Sequence, residues 1–264
     1  MRSSSARWRY RPGSTLILGE SYLLVGGLRG MSSPARRFRL VILDLDGTLY
    51  SSQSYVEELG GAVVRVVAEM LGVGPEEAYR RLRDAKERAI TTSASLGLLG
   101  ISRQRFYDRL AELVEPSRHI RPSGELEGRV RRLKARGLLV ALHTNAGRRL
   151  ASKVLDALAL PPSLFDYIVT CEDADPKPSP AGYERIVAAA GCIPEQCIYV
   201  GDRAVAELRT AKIMGMFTVK VGGKPSLWAD THAKSIIEAL ELVEGLVALG
   251  PAKGWSRSKG GGTY

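Results

Sequence analysis

The chain has 264 residues, 45% hydrophobic and 25% charged, with three cysteines and a formal net charge of +10. That composition fits a soluble globular protein with a sizeable core; it excludes a disulfide-stapled miniprotein and a disordered regulator, and no run of about 18 apolar residues offers a membrane-spanning helix. Cys171, Cys192 and Cys197 form no CxxC pair and His119, His143 and His232 are scattered, which removes the common zinc signatures and suits a reducing, cytoplasmic compartment.

Charge is unevenly placed: residues 1–30 carry +4 and residues 251–264 carry +3, leaving +3 for everything between. A basic excess confined to two tails argues against a nucleic-acid-binding face on the folded body. The single Asn, three Gln and 28 Arg against 10 Lys suit a thermophilic source, or a genomic composition bias. Residues 1–38 read as a flexible N-terminal extension, with Met31 as a natural domain start; the moderately apolar Leu16–Leu28 leaves a membrane-surface or partner-binding arm as the other reading.

From Arg39 the pattern is ordered. RLVILDLDGT is an apolar run ending in acids and Gly, a buried strand entering a loop. Residues 50–121 follow as a helical insertion with periodic segments at 55–71, 75–92 and 102–115; Pro75 with Glu76 and Glu77 opens the second, and Ser102 caps the third. Strand runs then recur at 138–144, 167–170, 197–202 and 216–221, alternating with helical patterns at 123–136, 147–159, 179–191 and 203–215. This alternation predicts an α/β fold: a Rossmann-like open parallel sheet with helices on both faces, formed by residues 39–49 and 122–250, with the helical cap at 50–121 and a flexible tail at 251–264.

Four strand ends deliver polar groups to one edge of such a sheet. Asp44 and Asp46 flank Leu45, so both carboxylates share one side of the strand, while Gly47 turns the backbone and Thr48 bonds locally. Thr144 and Asn145 end the next core strand, where a hydroxyl, an amide and free N–H groups make an anion cradle. Lys177 lies between two prolines, and Asp202, with Glu207 five residues on, offers hard oxygen ligands for a cation. Each alone reads as an ordinary turn, cap or solvated lysine; in one order at successive strand ends they read as a site.

Together DLDGTL (44–49), HTN (143–145), DPKPSP (175–180) and GDRAVAE (201–207) resemble the four motifs of the haloacid dehalogenase superfamily, in its phosphatase branch with a helical cap. The TNAGRR stretch, the TLY ending and GLLG are similar to the pyrimidine 5'-nucleotidase-like subgroup, beside the phosphoglycolate phosphatase-like one. The resemblance implies Asp44 as nucleophile, Asp46 as general acid/base, and Thr144, Asn145 and Lys177 as phosphate binders. It also implies Mg2+ held by Asp44, the Asp46 main-chain carbonyl and Asp202. Glu207 stands where the family often has Asp, leaving two roles open: reaching the metal through water, or holding Lys177.

The physical chemistry points the same way. A carboxylate attacking phosphorus needs a neighbouring acid to protonate the leaving oxygen, and cations to offset the clustered negative charge. The expected function is therefore a Mg2+-dependent phosphomonoester hydrolase acting on a small phosphorylated metabolite, with nucleoside monophosphates ahead of phosphoglycolate or sugar phosphates. A non-catalytic phosphate-binding module and a nucleic-acid phosphatase are the rivals; no nucleic acid or membrane partner is expected. Ser54, Arg88, Arg105 and Tyr107 are the cap residues with polarity suited to substrate contact.

Overall fold

The computed structural model describes residues 38–248. The expected tail 251–264 and all of the expected extension but Phe38 lie outside them. The sheet grows from short, apolar runs. Strand β1 (Leu40–Leu43) is buried along its whole length and pairs in parallel with β2 (Leu139–His143) on one side and β4 (Cys197–Gly201) on the other. With β3 (Tyr167–Val169), β5 (Phe217–Val221) and β6 (Thr231–Ala233), the order is β3-β2-β1-β4-β5-β6, all parallel.

Alternate residues feed two cores. Val41, Leu43, Val140, Leu142, Ile198 and Val200 pack with α5 (Gly124–Ala135), α6 (Arg148–Ala157) and α9 (Ile236–Ala248). Leu40, Ile42, Ala141 and Tyr199 face α7 (Ala181–Ala189) and α8 (Arg209–Met214). Apolar side chains on both sides of every central strand are what a parallel sheet sandwiched by helices requires. The strand order reverses between β1 and β4, so the loops after these strands splay apart there and leave a crevice.

Between β1 and α5 the chain inserts four helices: α1 (Gln53–Leu71), α2 (Pro75–Ala89), α3 (Thr92–Leu98) and α4 (Arg103–Leu113). Ser52 caps α1 by accepting from the Tyr55 amide, Gly72 closes it at φ 64°, and Ser102 caps α4. Helix α2 starts at Pro75, carries Glu76 and Glu77 in its first turn and Lys86 and Arg88 in its last, in the sense that suits the helix dipole.

The segment expected as one helix over 75–92 is broken at Ile90, where the Thr91 amide bonds back to the Ala89 carbonyl and Ile90 adopts φ 68°. A β-branched residue in that region is a strained exception that no Gly or Pro announces. The expected 203–215 helix begins instead with a π-turn over Ala204–Leu208. No described helix is long and apolar enough to cross a membrane.

Candidate active site

The first motif occupies the turn after β1. Asp44 is 3% exposed, and its Oδ2 accepts from the Thr48 hydroxyl at 2.8 Å. Gly47 sits at φ +87°, and a Cβ there would lie 2.5 Å from Asp202 Oδ2, so the close approach of the β1 and β4 loops requires glycine. Asp46 is half-buried; its Oδ1 accepts from the Tyr50 hydroxyl at 2.6 Å and its Oδ2 from the Thr144 hydroxyl at 3.3 Å. Burial, with the Asp44 charge adding to it, holds the Asp46 carboxyl above its ordinary range against these hydrogen bonds.

Lys177 is the centre of the constellation. Only 1% exposed, its ammonium donates to Asp44 Oδ1 at 2.5 Å, the His143 carbonyl at 3.0 Å, and Tyr199 hydroxyl and Glu207 Oε1 at 3.2 Å each. Burial alone would lower its pKa, but the Asp44 and Glu207 carboxylates outweigh that and keep it protonated. Two carboxylates thus share one ammonium, which can balance only one of them. Burial and the Asp44 charge accordingly push Glu207 up despite Lys177. Glu207 lies on the ammonium and also stands beside Asp44 and Asp202, so both of its expected roles stay open; Gly201 makes room for its Oε2.

Asn145 bonds the Lys177 backbone twice. Its Oδ1 accepts from the Lys177 amide at 2.8 Å and its Nδ2 donates to the Lys177 carbonyl at 2.9 Å. This side chain clamps the Lys177 loop. Thr144 remains at the edge beside Asp46, its hydroxyl also accepting from the Ala146 amide at 3.0 Å.

The donor set suits a hard divalent cation. Carboxylate oxygens of Asp44, Asp202 and Glu207 lie within 4.8 Å of one another, and buried Asp202 Oδ1 has no hydrogen-bond partner among the described residues. Burial and the neighbouring Asp44 charge push Asp202 up to about 6. A buried, unpartnered oxygen among crowded carboxylates is the arrangement that Mg2+ relieves.

The inserted helices close over these loops. Thr91 hydroxyl donates to the Lys177 carbonyl at 3.1 Å, Ser93 hydroxyl to the Asn145 carbonyl at 2.7 Å, and Arg203 to the Ile90 carbonyl at 3.4 Å. Of the four cap candidates, only Tyr107 is buried there, with its hydroxyl on Ser93 at 2.5 Å and its ring against Gly147. Arg88 is exposed and lines a cleft of about 480 Å³ with Arg103 and Asp175. Ser54 bonds His119 Nδ1 at 2.9 Å, and Arg105 is exposed on α4.

The sequence pattern gives no role to Tyr50, present only within the TLY ending, to Tyr199, or to the cap residues Thr91 and Ser93. Tyr199 was discoverable, lying on β4 three residues before Asp202; the others depend on the turn and on packing. His143 was noted only within its motif. Its ring packs edge-on to Tyr183 at 4.5 Å between centroids, and burial holds the imidazole well below its ordinary range.

A family profile described as haloacid dehalogenase-like hydrolase matches residues 38–215. The phosphoglycolate phosphatase of Aquifex aeolicus is 28% identical over 211 residues, covering 77% of this chain and 92% of that one. That of Pseudomonas putida is 32% identical over 190 residues, 67% of each chain. Among solved structures, an HAD phosphatase from Thermococcus onnurineus superposes with a TM-score of 0.57 at 20% identity, over 79% of this chain and 99% of that one. Motifs, sheet order and profile converge: the chain belongs to the haloacid dehalogenase-like hydrolase family.

Proposed function

We propose that this chain is a phosphoric monoester hydrolase that works through an aspartyl phosphate on Asp44. The observation that carries the reading is the pairing of Asp46 and Asp202 with Asp44 and Lys177 around one crevice. A dehalogenase needs the first acid alone; a second acid and a cation-binding carboxylate have a purpose when the transferred group is a phosphoryl.

In this reading Asp44 attacks phosphorus, and Asp46 gives its proton to the departing ester oxygen and later takes one from the attacking water. Lys177, the Thr144 hydroxyl and the backbone amides after β2 hold the phosphoryl oxygens; Asn145 and Glu207 keep Lys177 in place. Asp44, Asp202 and the Asp46 main-chain carbonyl would hold Mg2+, which supplies charge neutralisation for the phosphoryl oxygens. The inserted helices of residues 50–121 would serve as a cap on the core, shielding the site from water.

For substrate, the curated relatives favour a small carbon-chain ester of the phosphoglycolate kind over the nucleoside monophosphate that the sequence pattern favoured. The test is phosphate release from 2-phosphoglycolate, a nucleoside monophosphate and an aryl phosphate in Mg2+ buffer, with Asp44→Asn as the blank. Turnover of 2-phosphoglycolate above the nucleotide, absent from the blank, is expected. A higher kcat/KM for the nucleotide would overturn the substrate class, and no release from any ester would overturn the phosphatase reading.

A further inference from the structure

Tyr50 closes the TLY ending of the first motif, where the sequence gives it no role, yet it makes the shorter of the two side-chain hydrogen bonds to Asp46. Its hydroxyl donates to Oδ1 at 2.6 Å, while Thr144 reaches Oδ2 at a slack 3.3 Å. The turn between Asp46 and Tyr50 closes as a backbone bridge, and the Tyr50 ring rests against that of buried Tyr55 in α1, with centroids 5.9 Å apart. The phenol is thus held from both sides, by its own turn and by the first cap helix.

We propose that Tyr50 is a positioning residue for Asp46: it anchors Oδ1 throughout turnover, so that Oδ2 is the oxygen that carries the transferable proton. The proposal rests on the aspartyl-phosphate reading above. In the first displacement the P–O ester bond breaks as an Asp44 oxygen bonds phosphorus. The ester oxygen keeps the bonding pair and takes the proton from Asp46 Oδ2, whose O–H bond breaks. Asp46 is left as a carboxylate, and the Tyr50 hydrogen bond to Oδ1 becomes charge-assisted. A contact that strengthens while the leaving group departs favours the transition state over the bound substrate, and so acts on kcat. When water attacks the aspartyl phosphate, its oxygen bonds phosphorus as the Asp44 O–P bond breaks and returns its electron pair to the Asp44 carboxylate, and a water proton passes to Asp46 Oδ2 while Tyr50 keeps its own.

The experiment compares kcat for an alkyl phosphate and for p-nitrophenyl phosphate in the full chain, in Tyr50→Phe and in a chain with 3-fluorotyrosine at position 50. An alkyl leaving group needs the Asp46 proton far more than a nitrophenolate does. Tyr50→Phe should therefore cut the alkyl-to-aryl ratio of kcat by roughly tenfold, the scale of one hydrogen bond to a charged group, with KM moving less. Fluorotyrosine, a stronger donor of nearly the same shape, should keep or raise the ratio, and it serves even if Tyr50→Phe fails to fold. Equal losses on both esters, or a fluorotyrosine chain with the ratio of Tyr50→Phe, would overturn the proposal. A wild-type chain inactive on both esters would overturn the phosphatase reading on which it rests.

Discussion

Gly47 shows how much one missing side chain can matter. It permits φ +87° and the contact of the first-motif loop with Asp202, so Gly47→Ala adds a strained backbone and a Cβ 2.5 Å from Asp202 Oδ2. Activity should fall at least tenfold, with a stability loss of about 1–3 kcal/mol. Phosphatase assays and chemical denaturation check this; a variant with full activity would show that the two loops need not touch. Most site residues were legible because they end apolar strands, and a parallel sheet gathers such ends at one edge. The contact of Tyr50 with Asp46 was not, although TLY contains the residue, because it depends on a turn that closes within four residues. The side-chain contacts of Asn145 were not legible for a similar reason: its spacing marks the strand end but not the loop, 32 residues on, that its amide grips.

Among the elements, the loop carrying Lys177 is held by the two-way Asn145 clamp and by an ammonium shared between Asp44 and Glu207. Removing that ammonium leaves buried carboxylates without a counter-charge, which costs about 3–5 kcal/mol in comparable sites. Lys177→Met should therefore destabilise the protein by that order. Adding Glu207→Gln should recover part of the stability and none of the activity. Denaturant midpoints of the single and double variants decide this; if the double variant is no more stable than Lys177→Met, the shared-ammonium account fails. Elements with long periodic patterns were read well, including α1, α5 and the starts of α2 and α4. Helix α9 and the separate helix α3 were not among the expected elements, and the other misses were tertiary in origin. The break at Ile90 carries no turn residue, and the π-turn over Ala204–Leu208 sets Glu207 against Lys177. Strand β6, three residues of mixed polarity, offered no alternation to read.

At the scale of the whole molecule, the crowded carboxylates link stability to pH and metal. Asp202 is pushed up to about 6, so below that pH the folded protein retains a proton that the unfolded chain, titrating near about 4, has lost. With more protons on the folded state, stability falls as pH rises from about 4 through 6, and Glu207 acts in the same direction. Mg2+ binds the deprotonated set, so its stabilising effect should grow over the same range. At about 100 times its dissociation constant, Mg2+ should raise Tm by roughly 5–10 °C at pH 8 and clearly less at pH 5. Asp202→Asn should remove the difference. A Mg2+ shift that is equal at both pH values, or intact in Asp202→Asn, would place the cation elsewhere.

The central claim is that Asp44 carries the phosphoryl group during turnover. Rapid acid quench of the wild-type protein with an aryl phosphate in Mg2+ buffer, followed by peptide mass spectrometry, tests it most directly. One phosphoryl mass should appear on the Asp44 peptide within a single turnover, decay as phosphate is released, and be absent in Asp44→Asn, which should also be inactive. Steady turnover with that peptide unmodified at every time point, together with an Asp44→Asn variant that still hydrolyses the ester, would contradict it.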